Sequence, residues 1–301
     1  MPVEPPPQRA PAPPAPGRPV VRRRPAVRRR PGRESPPWIL LYHSVTDTAG
    51  RPADPYRITV SPGLLDRQLR WLRDRGLRGV AVGELLRARA AGRAAGLVGL
   101  TFDDGYADFL TGALPLLRRH DCTATVFVLP GRTGGLNSWD PRGPRRPLLT
   151  EDGIRAVAAA GMEVGSHGLL HQDLTTADPV TRERETAVSR ARLAELTGRA
   201  PDGFCYPYGG VDARAVAAVR AAGYGYACAL DPGPLTGRHA LPRVHIGAAD
   251  TPWRLSLKRA LHPLRRRTLP PDETPFPGPA TPFGPGNPPS PAATATPGGT
   301  R

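Results

Sequence analysis

The stretch Val98-Gly99-Leu100-Thr101-Phe102-Asp103-Asp104-Gly105 begins as a short apolar run and ends on two adjacent carboxylates at a turn glycine. Farther along, Met162-Glu163-Val164-Gly165 leads into Ser166-His167-Gly168-Leu169-Leu170-His171, which sets two imidazoles at i, i+4. Each stretch places ligand-type side chains directly after a predicted strand. Three protein ligands with an open fourth position are what a catalytic Zn²⁺-type ion needs to activate a water. A spare carboxylate can take that water's proton. Either motif alone is weak, because Asp-Asp-Gly is common in turns and paired histidines occur by chance. Their coincidence at two strand ends is a strong signal.

Outward from these motifs, short apolar runs alternate with helical patterns. Ile39–Tyr42, Gly79–Val82, Val98–Phe102, Ala124–Leu129, Met162–Gly165, Gly203–Tyr206 and Gly225–Leu230 read as strands. Leu64–Arg75, Phe109–Arg119, Thr150–Ala160, Pro179–Leu196 and Ala213–Ala222 read as amphipathic helices. Gly76, Gly161, Gly198 and Gly223 stand just past the last periodic residue of four of them. Repeated alternation predicts an α/β fold with a parallel sheet and helices outside, either a barrel or a doubly wound sheet. In such folds chemistry collects at the carboxyl ends of the strands. The Asp pair, His167, His43 and Tyr208 all follow a strand run and are expected to converge.

Composition bounds the rest. The chain has 301 residues, 40 Pro, 34 Gly and a net charge of +16. Residues 1–37 hold nine Arg and two Glu, and Arg254–Arg301 holds seven basic and two acidic residues. Neither end has apolar periodicity, so disordered tails are expected at 1–37 and 268–301 around one domain at 38–267. Basic tails suit an anionic wall polymer or a membrane surface, although a solvated tail is the blander reading. Specific nucleic-acid recognition is not expected, and a monomer is. Cys122, Cys205 and Cys228 have no metal-like or disulfide spacing and read as small buried hydrophobes. No run is long enough to span a membrane, and no secretory leader is legible.

The site residues are weighed one by one. Asp103 and Asp104 sit on a junction that must bend, because adjacent strand residues point in opposite directions; Gly105 is expected to supply the freedom. His167 and His171 meet either on one helical turn or in a compact turn, and Gly168 favours the turn. Ser166 is placed to donate to a ligand or to its carboxylate partner. Pro207-Tyr208-Gly209, after Phe204-Cys205-Tyr206, forms a turn able to wall a pocket and to offer a backbone N–H to an oxyanion. His43 ends the first strand run, where a lone histidine is more often structural than catalytic.

On these motifs the chain resembles the polysaccharide deacetylases of the NodB-homology family, carbohydrate esterase family 4, over roughly 38–254. The opening Leu41-Tyr42-His43-Ser44 resembles the branch with poly-β-1,6-N-acetylglucosamine deacetylases. The resemblance implies an irregular (β/α)₇ barrel. It also implies Asp103 as base, Asp104, His167 and His171 as metal ligands, and Pro207, Tyr208 and Gly209 lining the acetyl pocket. The family's usual late Leu-x-His acid is absent, and the branch assigns that role to the position of His43, with His245 the rival. Where the family motif Arg-x-Pro-Tyr has its Arg, this chain has Cys205, and Arg243 is the expected substitute for orienting Asp103. The implied cofactor is a divalent ion, Zn²⁺ first, with Co²⁺, Ni²⁺, Mn²⁺ or Fe²⁺ acceptable. The implied partner is an N-acetylated glycan, and the implied location is extracellular or in the cell envelope. A two-carboxylate glycoside hydrolase fits poorly, because its carboxyl groups flank the sugar bond instead of adjoining. A catalytically silent glycan- or polyanion-binding protein on the same fold is the alternative.

Overall fold

The computed structural model describes residues 37–47, 54–230, 235 and 237–265. The chain falls into two units, Met1–Gly32 and Arg33–Arg301, and the architecture is that of the second. The expected disordered tails lie outside the described residues except for Pro37, which is buried.

The strands in chain order are β1 (Ile39–Tyr42), β2 (Ser44–Val45), β3 (Thr59–Val60), β4 (Arg78–Val80), β5 (Leu97–Phe102), β6 (Thr125–Val128), β7 (Glu163–Ser166), β8 (Gly203–Cys205), β9 (Tyr226–Ala229), β10 (Leu241–Pro242) and β11 (Val244–His245). The helices are α1 (Pro62–Arg73), α2 (Val82–Ala90), α3 (Leu114–Arg119), α4 (Glu151–Ala159), α5 (Pro179–Glu183), α6 (Ser189–Thr197), α7 (Ala213–Ala221) and α8 (Pro252–Arg265). One parallel sheet runs β10-β9-β8-β7-β6-β5-β1-β11, with β4 against the first half of β5. β10 and β11 occupy its opposite ends, yet only Arg243 separates them in sequence. Two ends joined by one residue must lie side by side, so the sheet curls into a nearly closed barrel. This settles the choice between barrel and doubly wound sheet.

Local chemistry explains most element boundaries. Ser61, Thr150, Asp178 and Asp212 cap α1, α4, α5 and α7 by accepting from the backbone N–H three residues on. Leu64, Leu65, Leu69 and Leu72 form the buried face of α1. Two expectations needed correction. Val82, read as the end of a strand, begins α2. The Pro179–Leu196 helix is interrupted by a π-turn at Arg184–Val188, and Phe109–Ala113 is a second one ahead of α3. The two-residue ladder of β2 on β3 was not anticipated.

Alternation along the strands sorts side chains inward and outward. Ile39, Phe127, Cys205, Tyr226 and Cys228 share the interior cluster, whereas Leu40, Val126 and Val128 pack outward under the helices. A polar plug lies on the interior side at the strands' amino ends. There the half-buried Glu163 carboxylate accepts from Thr125 Oγ1 (2.8 Å), Tyr226 Oη (3.0 Å) and the Gly83 N–H of α2 (2.9 Å). Gly203 makes room for it, since a Cβ there would lie 2.3 Å from Tyr226 Oη and 2.4 Å from its Cζ. Gly203→Ala is expected to cost about 1–3 kcal/mol by overpacking. A lowered urea midpoint with unchanged slope would register it, and an unchanged midpoint would mean that the ring shifts freely.

Candidate functional site

β5 carries the two aspartates. Thr101 and Asp103 share the inward phase, and a regular strand would send Asp104 outward. Asp104 instead adopts φ +70°, followed by Gly105 at +65°, and its carboxylate returns to the same cleft. The bend expected of the glycine is thus shared by the aspartate. At Gly105 a Cβ would approach Val128 Cγ1 to 3.0 Å, so packing also favours glycine there.

Asp103 is held by a buried fork. Arg243 Nη1 donates to Oδ1 (2.7 Å) and Nη2 to Oδ2 (2.8 Å). The guanidinium also donates to Thr101 Oγ1 (3.1 Å), Cys205 Sγ (2.9 Å) and the Ala229 carbonyl (3.3 Å). Arg243 is thus brought against the Asp103 carboxylate. The Cys205 thiol donates to Asp103 Oδ2 at 3.3 Å, so this cysteine is more than a small hydrophobe. Burial opposes charge on Asp103, but Arg243, His167 and His43 together outweigh it and the carboxyl sits below its usual range. Burial pushes the Cys205 thiol up, which keeps it protonated.

Asp104 meets both histidines. Its Oδ1 lies 3.2 Å from His167 Nε2 and 3.4 Å from His171 Nε2. Burial raises the Asp104 pKa, yet hydrogen bonding with the two imidazoles carries it well below the usual range. His167 Nδ1 donates to the Cys205 carbonyl (3.0 Å), which in the neutral ring turns the Nε2 lone pair toward Asp104. His171, at φ +69° in a turn and not a helix, is clamped by aromatic rings. Trp139 stacks on it at 4.5 Å and 17°, and Tyr208 meets it edge-on at 4.5 Å and 76°. Asp104, His167 and His171 each direct one ligand atom to a common region, all within 4.8 Å of one another. Asp103, His167 and Cys205 satisfy the same distance, but Arg243 engages both oxygens of Asp103 and the thiol is protonated. One anionic oxygen and two imidazole nitrogens, with no proton between them when the rings are neutral, fit a divalent cation.

Glu185 escaped the sequence reading. It is buried in the π-turn, and its carboxylate accepts from the N–H groups of Leu169 (2.9 Å), Leu170 (3.0 Å) and Gln172 (3.4 Å). That clamp shapes the turn between the two histidines. A Cβ at Gly168, φ +86°, would lie 2.6 Å from its Oε2. Ser166 does not reach a ligand as expected; its hydroxyl meets Ser189 Oγ (2.9 Å) and the Gly168 N–H (3.2 Å), and so ties β7 to α6.

The cleft above these groups encloses about 320 Å³ and is walled by Tyr56, Trp139, Tyr206 and Tyr208. Tyr208, at φ +59°, and Gly209 line it, but Pro207 is buried behind Gly168 and does not. His43 and His245 both line it, with ring centroids 6.0 Å apart. Burial lowers the pKa of each. Asp104 and Asp103 oppose that at His43, whereas His43 and Lys258 push His245 further, to about 4.

Residues 91–227 match the family model "Polysaccharide deacetylase". The chain is 25% identical over 213 residues to the putative polysaccharide deacetylase YxkH of Bacillus subtilis, spanning 69% of this chain and 70% of that protein. It is 32% identical over 100 residues to the poly-β-1,6-N-acetyl-D-glucosamine N-deacetylase of Escherichia coli, but these span 33% of this chain and only 13% of that protein. The Streptococcus pyogenes deacetylase PplD, solved in complex with acetate, superposes with a TM-score of 0.63 at 25% identity, covering 74% of this chain and 97% of PplD.

Glu185→Gln is expected to weaken Zn²⁺ binding about 10–100-fold, the usual effect of losing a group that orients ligands. Competition against a chromophoric chelator measures this, with the thermal midpoint as the control for folding. Unchanged affinity would mean that other contacts hold the turn.

Proposed function

The chain carries a polysaccharide deacetylase domain, and we propose that this domain removes N-acetyl groups from a GlcNAc-containing glycan by metal-dependent hydrolysis. The observation that carries the reading is the pairing of unlike carboxylates: Asp103 is locked on Arg243, while Asp104 faces two imidazole nitrogens. Adjacent in sequence, they are suited to different tasks.

A divalent ion on Asp104, His167 and His171 would supply Lewis acidity, polarising the acetamide carbonyl and acidifying a water. Asp103 is the base. Arg243 fixes its plane, and each carboxylate oxygen keeps lone-pair capacity beyond those bonds to accept the proton as water attacks. The backbone N–H of Tyr208 donates to the developing oxyanion. As the C–N bond breaks, His43 protonates the departing amine. His43 suits this role better than His245: burial lowers both, but two carboxylates favour the charged form of His43, while burial with His43 and Lys258 nearby takes His245 down to about 4. The aromatic walls offer flat apolar faces to sugar rings. Zn²⁺ is the first choice for the donor set, and an extracellular or envelope glycan is the substrate class.

Acetate release on peptidoglycan, chitin oligomers and poly-β-1,6-GlcNAc, with and without stoichiometric Zn²⁺, tests the reading directly. Metal-independent release, or none on any of the three, would sink it. Within that assay Asp103→Asn is expected to keep its metal and lose about 10²–10⁴ in kcat, whereas Asp104→Asn should lose metal affinity. Equal metal loss in both would reverse the roles. His43→Ala should keep its metal and lose the basic-side limb of the pH–rate profile, because that limb reports loss of the acid's proton. The depressed pKa of His43 places that limb on the acidic side of where a free imidazole would put it. If the limb survives there and vanishes in His245→Ala, the acid is His245.

A further inference from the structure

Helix α8 is fastened to the barrel along one side. Leu255 and His262 are buried, Ser256 Oγ accepts from the Trp71 indole (3.2 Å), and Lys258 Nζ donates to the His245 carbonyl (2.6 Å). At about 3.6 residues per turn, Trp253, Leu257 and Ala260 fall on the opposite side of the helix. They are exposed, Trp253 to 72% and Leu257 to 46%. Trp253 is the most exposed large apolar side chain among the described residues. Exposed Arg254 and Arg259 flank this stripe, and no acidic residue occurs in α8. Arg254 is within 3.6 Å of Asp250, which Lys258 already engages at 2.7 Å.

An apolar stripe pointing away from the core, on a helix whose only charges are positive, has the chemistry of an interfacial helix. Tryptophan and leucine enter the boundary between headgroups and acyl chains, while arginines reach anionic headgroups with their stems along the apolar surface. We propose that this outer face of α8 docks the protein on an anionic lipid bilayer, with the helix lying in the interface plane and Trp253 and Leu257 inserted. A soluble polyanion would engage the arginines and leave Trp253 and Leu257 in water. A second copy of the chain would bring one cationic helix against another. Charge complementarity therefore favours the bilayer.

The test is sedimentation of the full-length chain with vesicles of phosphatidylglycerol and phosphatidylcholine, and with phosphatidylcholine alone. Binding is expected on the anionic vesicles and should be much weaker on the neutral ones. The double variant Trp253→Glu, Leu257→Glu should lose at least about tenfold in partitioning, since burying one large apolar side chain is worth that much. Brominated acyl chains should quench part of the wild-type emission, and Trp253→Phe should lose that part. This second readout stands even if the double variant misfolds. Wild-type partitioning of a folded double variant would overturn the proposal, showing that charge elsewhere in the chain holds the vesicle. A concentration-dependent dimer abolished by the double variant, without vesicle binding, would also overturn it and make the face a self-interface.

Discussion

The Arg243–Asp103 pair is the contact on which barrel and chemistry both rest. The guanidinium lies in the barrel interior and binds groups on or just after β5, β8 and β9. A charge so buried is tolerable only with a partner of opposite sign and satisfied donors, and leaving either member alone costs about 3–5 kcal/mol. Several contacts of Arg243 also reach the site. It fixes the plane of the Asp103 carboxylate, touches the thiol that donates to the same carboxylate, and joins the two strands that close the sheet. Cys205 on β8 brings a thiol to this carboxylate, and the positive charge arrives from the seam between β10 and β11.

The parts legible in the sequence were those whose signal is local. A strand followed by Asp-Asp-Gly, and a strand followed by Ser-His-Gly-Leu-Leu-His, carry element and side chains within a few residues. Arg243 could be inferred because Cys205 left a known need unfilled. Glu185 could not, because it reaches the histidine turn from a helix with ordinary patterning, and only the π-turn aims its carboxylate. The same π-turn hid inside what periodicity reads as a single helix, since one extra residue in a turn leaves the apolar spacing nearly intact. α2 was missed because its buried residues, Val82, Gly83 and Leu85, sit at its first turn beside a strand, and Val82 read as that strand's last residue. Trp139 lies on an irregular segment, and its stacking on His171 has no periodic signature at all.

Among the described residues, three of the five non-glycine residues with positive φ, Asp104, His171 and Tyr208, stand at the site. Left-handed backbone costs such residues on the order of 1–3 kcal/mol each and persists only where the surroundings over-determine it. The surroundings here can be named: Val128 beneath the aspartate turn, the Glu185 carboxylate under the histidine turn, and Leu230 against Gly209, where the Leu230 N–H donates to the Gly209 carbonyl at 3.2 Å. The cleft is thus set before any ligand arrives, by packing beneath its turns at Val128 and Glu185 and by Leu230 at its wall.

The seam at Arg243 gives the barrel a direction of failure. β10 and β11 contribute two residues each and are the shortest strands in the sheet. Local opening follows the weakest hydrogen-bonded units. Fraying there would swing out the residue between them and take the guanidinium from Asp103, while the long ladders between β1 and β5 and between β6 and β7 remain paired. Such an opened form would keep its secondary structure and its histidine turn, yet hold a carboxylate with no fixed plane. The last strands of the barrel therefore behave as a fuse, yielding catalytic geometry first and architecture much later.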